Sequence, residues 1–112
     1  MEKGKVGIFG GSGYVGSTIA NQLKYRFDIE VFDVKKPSID LSGVKFRQCD
    51  IRSPSRVDEC CQGLDAIINT AIIQIPQISE QKRLGYEVNF IGTQNVCETV
   101  LKNPRIKARA RV

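Results

Sequence analysis

The segment KVGIFGGSGYVGSTIA, Lys5 to Ala20, sets the tightest limit on what this chain can fold into. Four glycines fall within the seven residues 10–16, between a β-branched run and a helix-like pattern. Val6 to Phe9 reads as a short buried strand that the glycines close. Val15, Ile19 and Leu23 then step by four, which predicts a helix with these residues along one face. A strand, a glycine turn and a helix in direct succession make the opening of a β-α-β unit.

The rest of the chain repeats the alternation. Asp28 to Asp33 resumes strand character, and the Lys35-Lys-Pro-Ser turn ends it at Pro37. Val44 to Cys49 alternates as a third strand would. Ser53 and Pro54 open a short helix that runs to Cys61, with Gly63 as its stop. Asp65 to Thr70 reads as a fourth strand. Leu84, Val88, Ile91, Val96 and Val100 recur at steps of three, four or five, predicting one long helix from Ser79 to Lys102, stopped by Pro104. Right-handed crossovers then give an α/β fold, a Rossmann-type parallel sheet in the order 3-2-1-4 flanked by helices. Residues 1–104 form one domain in this reading.

The final stretch, residues 105–112, is different. Ile106-Lys-Ala-Arg-Ala-Arg-Val112 alternates apolar and cationic residues, whereas an interior parallel strand is apolar throughout. The alternation suits either a short fifth strand at the sheet edge or a disordered basic tail, and disfavours a buried strand.

Composition removes several function classes. The net charge is +5, yet residues 1–101 carry twelve charges of each sign, so the excess belongs to the end of the chain. With no aromatic stacking motif beside it, nucleic-acid binding is not expected. No run of eighteen apolar residues occurs, so neither a membrane span nor a secretory leader is expected. Four cysteines without metal-type spacing, and no histidine, predict reduced thiols, a cytoplasmic location and no metal site.

The pattern Gly10-x-x-Gly13-x-x-Gly16 has a physical reading at a strand-to-helix junction. One glycine turns the chain where φ is positive, one leaves room for a pyrophosphate at the backbone, and Gly16 lets the helix pack closely. Free N–H groups near Tyr14 and Val15 then face the phosphates, aided by the helix dipole. Asp33 closes the second strand twenty-three residues after Gly10, near the spacing at which a carboxylate accepts bonds from an adenosine ribose. These residues together predict a dinucleotide site across the carboxyl ends of strands one and four. The carboxylate favours NAD by repelling a 2′-phosphate, while Lys35 and Lys36 keep NADP possible.

At this point the sequence resembles the extended short-chain dehydrogenase/reductase family, of the NAD-dependent epimerase/dehydratase type. GGSGYVG is similar to its G-x-x-G-x-x-G fingerprint. Asp50-Ile51 resembles the family's Asp-hydrophobic pair, whose aspartate reads the adenine amino group. Thr70-Ala71, ending Asp65-Ala-Ile-Ile-Asn-Thr-Ala, resembles the stretch beside the ribose nearer the nicotinamide. Asn89 opens a segment similar to N-x-x-G-T-x-N. The resemblance implies that Gly10, Gly13, Tyr14, Val15, Gly16, Asp33, Asp50, Ile51, Thr70, Ala71 and Asn89 bind the cofactor.

It also implies a tyrosine and, four residues later, a lysine that together perform proton transfer. Four residues after Tyr14, Tyr25 and Tyr86 stand Thr18, Ile29 and Phe90. No catalytic residue is therefore assigned, and the 112-residue chain by itself is expected to bind without turning over. Two functions remain open: the NAD-binding portion of an epimerase, dehydratase or reductase, or a non-enzymatic adenine-nucleotide sensor or partner subunit. Self-association through the Ile72-Ile73 loop and the long helix is a further expectation.

Overall fold

The computed structural model describes residues 3–73 and 77–111. Five parallel strands form one sheet: β1 Lys5–Phe9, β2 Asp28–Asp33, β3 Lys45–Gln48, β4 Ala66–Asn69 and β5 Ala108–Arg111. Their order is 3-2-1-4-5, so the sequence-based order stands, with a fifth strand added beyond β4. Register pairs Phe9 with Phe32 across β1 and β2, and with Asn69 across β1 and β4. Helix α1 (Tyr14–Leu23) follows β1, and α2 (Pro54–Cys61) follows β3.

Both faces of the sheet are covered, as the continuous apolar strands require. On one face Val6, Ile8, Ile29 and Val31 pack with Ala20 of α1 and with Leu41. On the other, Phe9 and Phe32 meet at 4.9 Å between ring centres, beneath Val57 of α2 and Val96 of the C-terminal helix. Each fully buried aliphatic or aromatic side chain here contributes roughly 1.5–3 kcal/mol by leaving water.

The most deeply buried positions of α1 are small residues rather than its aliphatic ones. Gly16, Ser17 and Ala20 are buried, Ile19 and Leu23 pack at the flank, and Val15 is 44% exposed. The reason is proximity. A Cβ on Gly16 would lie 2.4 Å from the Gly10 carbonyl oxygen, so only small residues fit on that side.

The single long helix is also corrected. Gln77–Glu80 (α3) and Lys82–Tyr86 (α4) are separate short helices, because Gln81 adopts φ −127°. Glu87–Gly92 is π-helical, and a regular helix, α5, resumes over Thr93–Lys102. Gly92 faces Ile51 so closely that a Cβ would lie 2.6 Å from Ile51 Cγ2.

The alternating C-terminal stretch forms the edge strand rather than a disordered tail over the described residues. β5 pairs with β4 in parallel register, Ala108 beside Ala66, and Ile106 is buried just before it. Asp65 fastens the junction: its backbone oxygen accepts from Lys107 N at 2.8 Å, and its carboxylate accepts from Lys5 N at 2.8 Å. The same carboxylate lies 3.4 Å from Arg105 Nε. Val112, the last residue of the alternation, lies outside the described residues. No helix among the described residues is long and apolar enough to cross a membrane.

Candidate functional site

Sheet geometry places the turn after β1 and the end of β4 side by side, where the strand order switches direction. Gly10 has φ +78°, the left-handed conformation that glycine adopts freely. Its N–H donates to the Phe32 carbonyl at 2.8 Å, and its oxygen accepts from Gly13 N at 3.1 Å. A Cβ there would meet Ala71 N at 2.6 Å and Thr70 Oγ1 at 2.7 Å. Gly11 is equally constrained, since its Cβ would lie 2.3 Å from Val31 Cβ.

Gly13 stands apart. A Cβ on it would touch only the Gly10 oxygen, at an ordinary 3.4 Å, and its φ of −77° suits any residue. Gly10, Gly11 and Gly16 are therefore glycine because the fold closes on them. Neither packing nor backbone conformation asks for glycine at position 13. Gly13 is also the N-cap of α1, and no side chain caps that helix. The first-turn N–H groups of Tyr14, Val15 and Gly16 have no partner within the helix, as at any helix start. Tyr14, 87% exposed, and Val15 stand at the rim. The result is an open, amide-lined space at the positive end of a helix dipole, suited to an anion.

Asp33 ends β2 beside this space. Its Oδ2 accepts from Ser12 N at 3.1 Å and its Oδ1 from Val34 N at 2.7 Å. Ser12 Oγ donates in turn to the Lys35 carbonyl. The carboxylate thus holds the glycine loop in place and, with two oxygens of two lone pairs each, keeps acceptor capacity for hydroxyl donors. The x positions of a glycine pattern carry no signal, so Gly11 and Ser12 were not legible as parts of the site.

The remaining sequence-selected residues divide. Thr70 joins the cradle, its N and Oγ1 both donating to the Phe9 carbonyl at 2.8 Å, with Ala71 next to it. Asp50 lies at the turn after β3. Arg52 donates to it from Nη2 at 2.7 Å and from Nε and backbone N at 3.0 Å. Those bonds hold the Asp50 carboxyl below the usual carboxylate range. Arg52 Nη1 also reaches Glu87 Oε1 at 3.3 Å, a link no spacing rule indicates.

Ile51 is buried, its side chain against Gly92 and its carbonyl accepting from Asn95 Nδ2 at 3.0 Å. Asn89 spends both side-chain atoms on one residue: Oδ1 accepts from Ile73 N at 2.7 Å and Nδ2 donates to Ile73 O at 3.0 Å. Its side chain therefore shapes the loop after β4.

A glycine turn at a helix start, beside a switch in strand order and a strand-end carboxylate, is the arrangement found in dinucleotide-binding Rossmann proteins. This chain has it. Comparison with known proteins narrows the class. The model of the 3-beta hydroxysteroid dehydrogenase/isomerase family matches residues 7–106, and the chain belongs to that family. Its resemblance to extended short-chain dehydrogenases/reductases is thereby borne out.

The D-erythronate dehydrogenase of Haemophilus influenzae is 31% identical over 112 aligned residues, covering 92% of this chain and 36% of that protein. The human sterol-4-alpha-carboxylate 3-dehydrogenase, decarboxylating, is 34% identical over 93 residues, covering 82% of this chain and 24% of that protein. The chain thus spans about a third or less of the length of these relatives. Among solved structures, a mutant uronate dehydrogenase from Agrobacterium tumefaciens complexed with NAD superposes with a TM-score of 0.79 at 18% identity. That match covers 96% of this chain and 40% of the other.

Proposed function

We propose that this chain is the NAD-holding part of an oxidoreductase or epimerase of the 3-beta hydroxysteroid dehydrogenase/isomerase family. One observation carries the reading: Gly13 is a glycine for which the fold supplies no reason, at a helix start lined with amides. A pyrophosphate against the backbone supplies that reason. Further support comes from family membership and from the NAD complex of the uronate dehydrogenase that shares the fold.

Each group then has a task. The amides of residues 14–16 hold the phosphates, and Gly10 shapes the turn that presents them. Asp33 accepts from the adenosine ribose. Asp50 and Ile51 border the adenine, Thr70 and Ala71 the ribose nearer the nicotinamide, and Asn89 acts by fixing Ile73. Hydride exchange is the chemistry the nicotinamide supplies when bound.

Affinities of wild type and Asp33→Ala for NAD and NADP test the ribose assignment. Removing the carboxylate weakens NAD by about tenfold or more, the scale of a lost charge-assisted pair. NADP loses less, since a 2′-phosphate gains from the absence of a negative charge. Equal losses for both dinucleotides would contradict the assignment.

A further inference from the structure

The end of the sheet opposite the glycine turn has a cavity of its own. All strands of a parallel sheet start at one end, so Lys5, which opens β1, and Asp28, which opens β2, lie side by side there. The five residues of β1, at roughly 3.3 Å each, separate them from the glycine turn. A cavity of about 290 Å³ opens here, lined by Lys3, Lys5, Lys24, Phe27, Asp28 and Gly43.

Backbone bonds fix its walls. Arg26 N and Phe27 N both donate to the Leu23 carbonyl at 3.0 Å, and Lys24 N donates to the Ala20 carbonyl at 3.0 Å. These bonds engage the last carbonyls of α1, whose partial negative charge would otherwise face this end. Asp28 N donates to Gly4 O at 2.9 Å. The Phe27 ring stands against Gly4, where a Cβ would lie 3.4 Å from Phe27 Cδ1. On the far side Gly43 has φ +80°, and a Cβ there would meet nothing within 4 Å.

The charges lining this cavity are unbalanced. Three ammonium groups face one carboxylate, Asp28, an excess of two positive charges. Every ion pair among the described residues is made by an arginine, and Lys3, Lys5 and Lys24 take part in none. Asp65, the acidic residue just before β4, already accepts from Lys5 N at 2.8 Å and pairs with Arg105. Lys24 sets its Nζ 5.4 Å from the Tyr25 ring centre, a contact that does not neutralise its charge.

We propose that this cavity is a second binding site, for a small soluble phosphate-bearing anion. A phosphate monoester carries about two negative charges near neutral pH and matches the excess, whereas a single carboxylate leaves half of it. Lysine binds phosphate as a point charge, and several lysines together need no fork geometry. The Phe27 ring gives an apolar wall for the organic part of the ligand. The site is independent of the glycine turn and of whatever binds there.

Inorganic pyrophosphate is the probe, titrated into the isotope-labelled 112-residue chain while backbone amide shifts are followed. The two ends of the sheet then report separately. Saturable shifts are expected at Phe27, Asp28 and Gly43, with a dissociation constant below about 1 mM at low salt. Lys5→Gln combined with Lys24→Gln weakens binding at this end by about tenfold or more and leaves any shifts at residues 13–16 unchanged. Lys82→Gln removes an exposed charge outside the lining and leaves both ends unchanged. Should the double variant not fold, Lys24→Gln alone is expected to weaken binding at this end by about threefold. No saturable shift at Phe27, Asp28 and Gly43 overturns the proposal, whatever happens at the glycine turn. Equal weakening by Lys82→Gln overturns it too, because attraction by net charge alone would then explain the binding. The chain is expected to stay in solution beside phosphatidic acid vesicles. Cosedimentation with them would assign the surface to a lipid headgroup and overturn the reading as a site for a soluble anion.

Discussion

At the scale of single residues, the four glycines of the loop differ in what a side chain would cost. Gly16→Ala places a methyl 2.4 Å from the Gly10 carbonyl and 2.8 Å from Thr70 Oγ1. Backbone must shift, so the expected loss is about 1–3 kcal/mol or more, read from the denaturant midpoint. Gly13→Ser meets no such obstacle, and serine is a favoured N-cap, so stability is expected to hold within about 0.5 kcal/mol. The glycines at 10, 13 and 16 were legible because their period has a fixed physical meaning at a strand-to-helix turn. The partners of Asp50 and Asn89 were not. One is Arg52, two residues away in an irregular turn, and the other is Ile73, sixteen residues distant and reached only through the fold.

At the scale of elements, the π-helical Glu87–Gly92 segment carries two residues that tie the helical run to the segments after β3 and β4, Glu87 to Arg52 and Asn89 to Ile73. Asn89→Ala removes two hydrogen bonds and leaves the Ile73 backbone to find others. The expected cost is about 1–3 kcal/mol, visible as a lower denaturant midpoint with the helical circular-dichroism signal retained. Arg52→Gln releases Asp50. Because Arg52 holds the Asp50 carboxyl below its usual value, the stabilisation is present above the unfolded carboxyl's pKa, about 4, and is lost as pH falls through the lower folded value. The stability difference between wild type and Arg52→Gln is therefore expected at neutral pH and to vanish in acid. A difference unchanged at low pH would contradict the pairing.

The sequence held one trace of this segment. Apolar positions step by four from Leu84 to Val88 and by three to Ile91, then by five to Val96 across the end of the π-turn. A step of five fits no α-helical stripe, since 3.6 residues make a turn. The alternation after α5 was legible only as either an edge strand or a basic tail, and the small-residue face of α1 was not legible, because only the depth of the glycine turn dictates it.

At the scale of the whole molecule, the parallel sheet brings the end of β1, the end of β2 and the end of β4 to one rim, where the glycine turn also lies. Strand order was readable because alternating strands and helices leave few topologies for a right-handed crossover. A ligand confined to the folded state stabilises it by about 2.7 kcal/mol at a hundredfold its dissociation constant. The most direct test is calorimetric titration of NAD into the 112-residue chain and into Gly13→Ser, with both shown to be equally folded. The account predicts saturable heat for the wild type and an affinity lower by about tenfold or more for the variant. Absence of heat with folded wild type, or equal affinity in the two proteins, would contradict it.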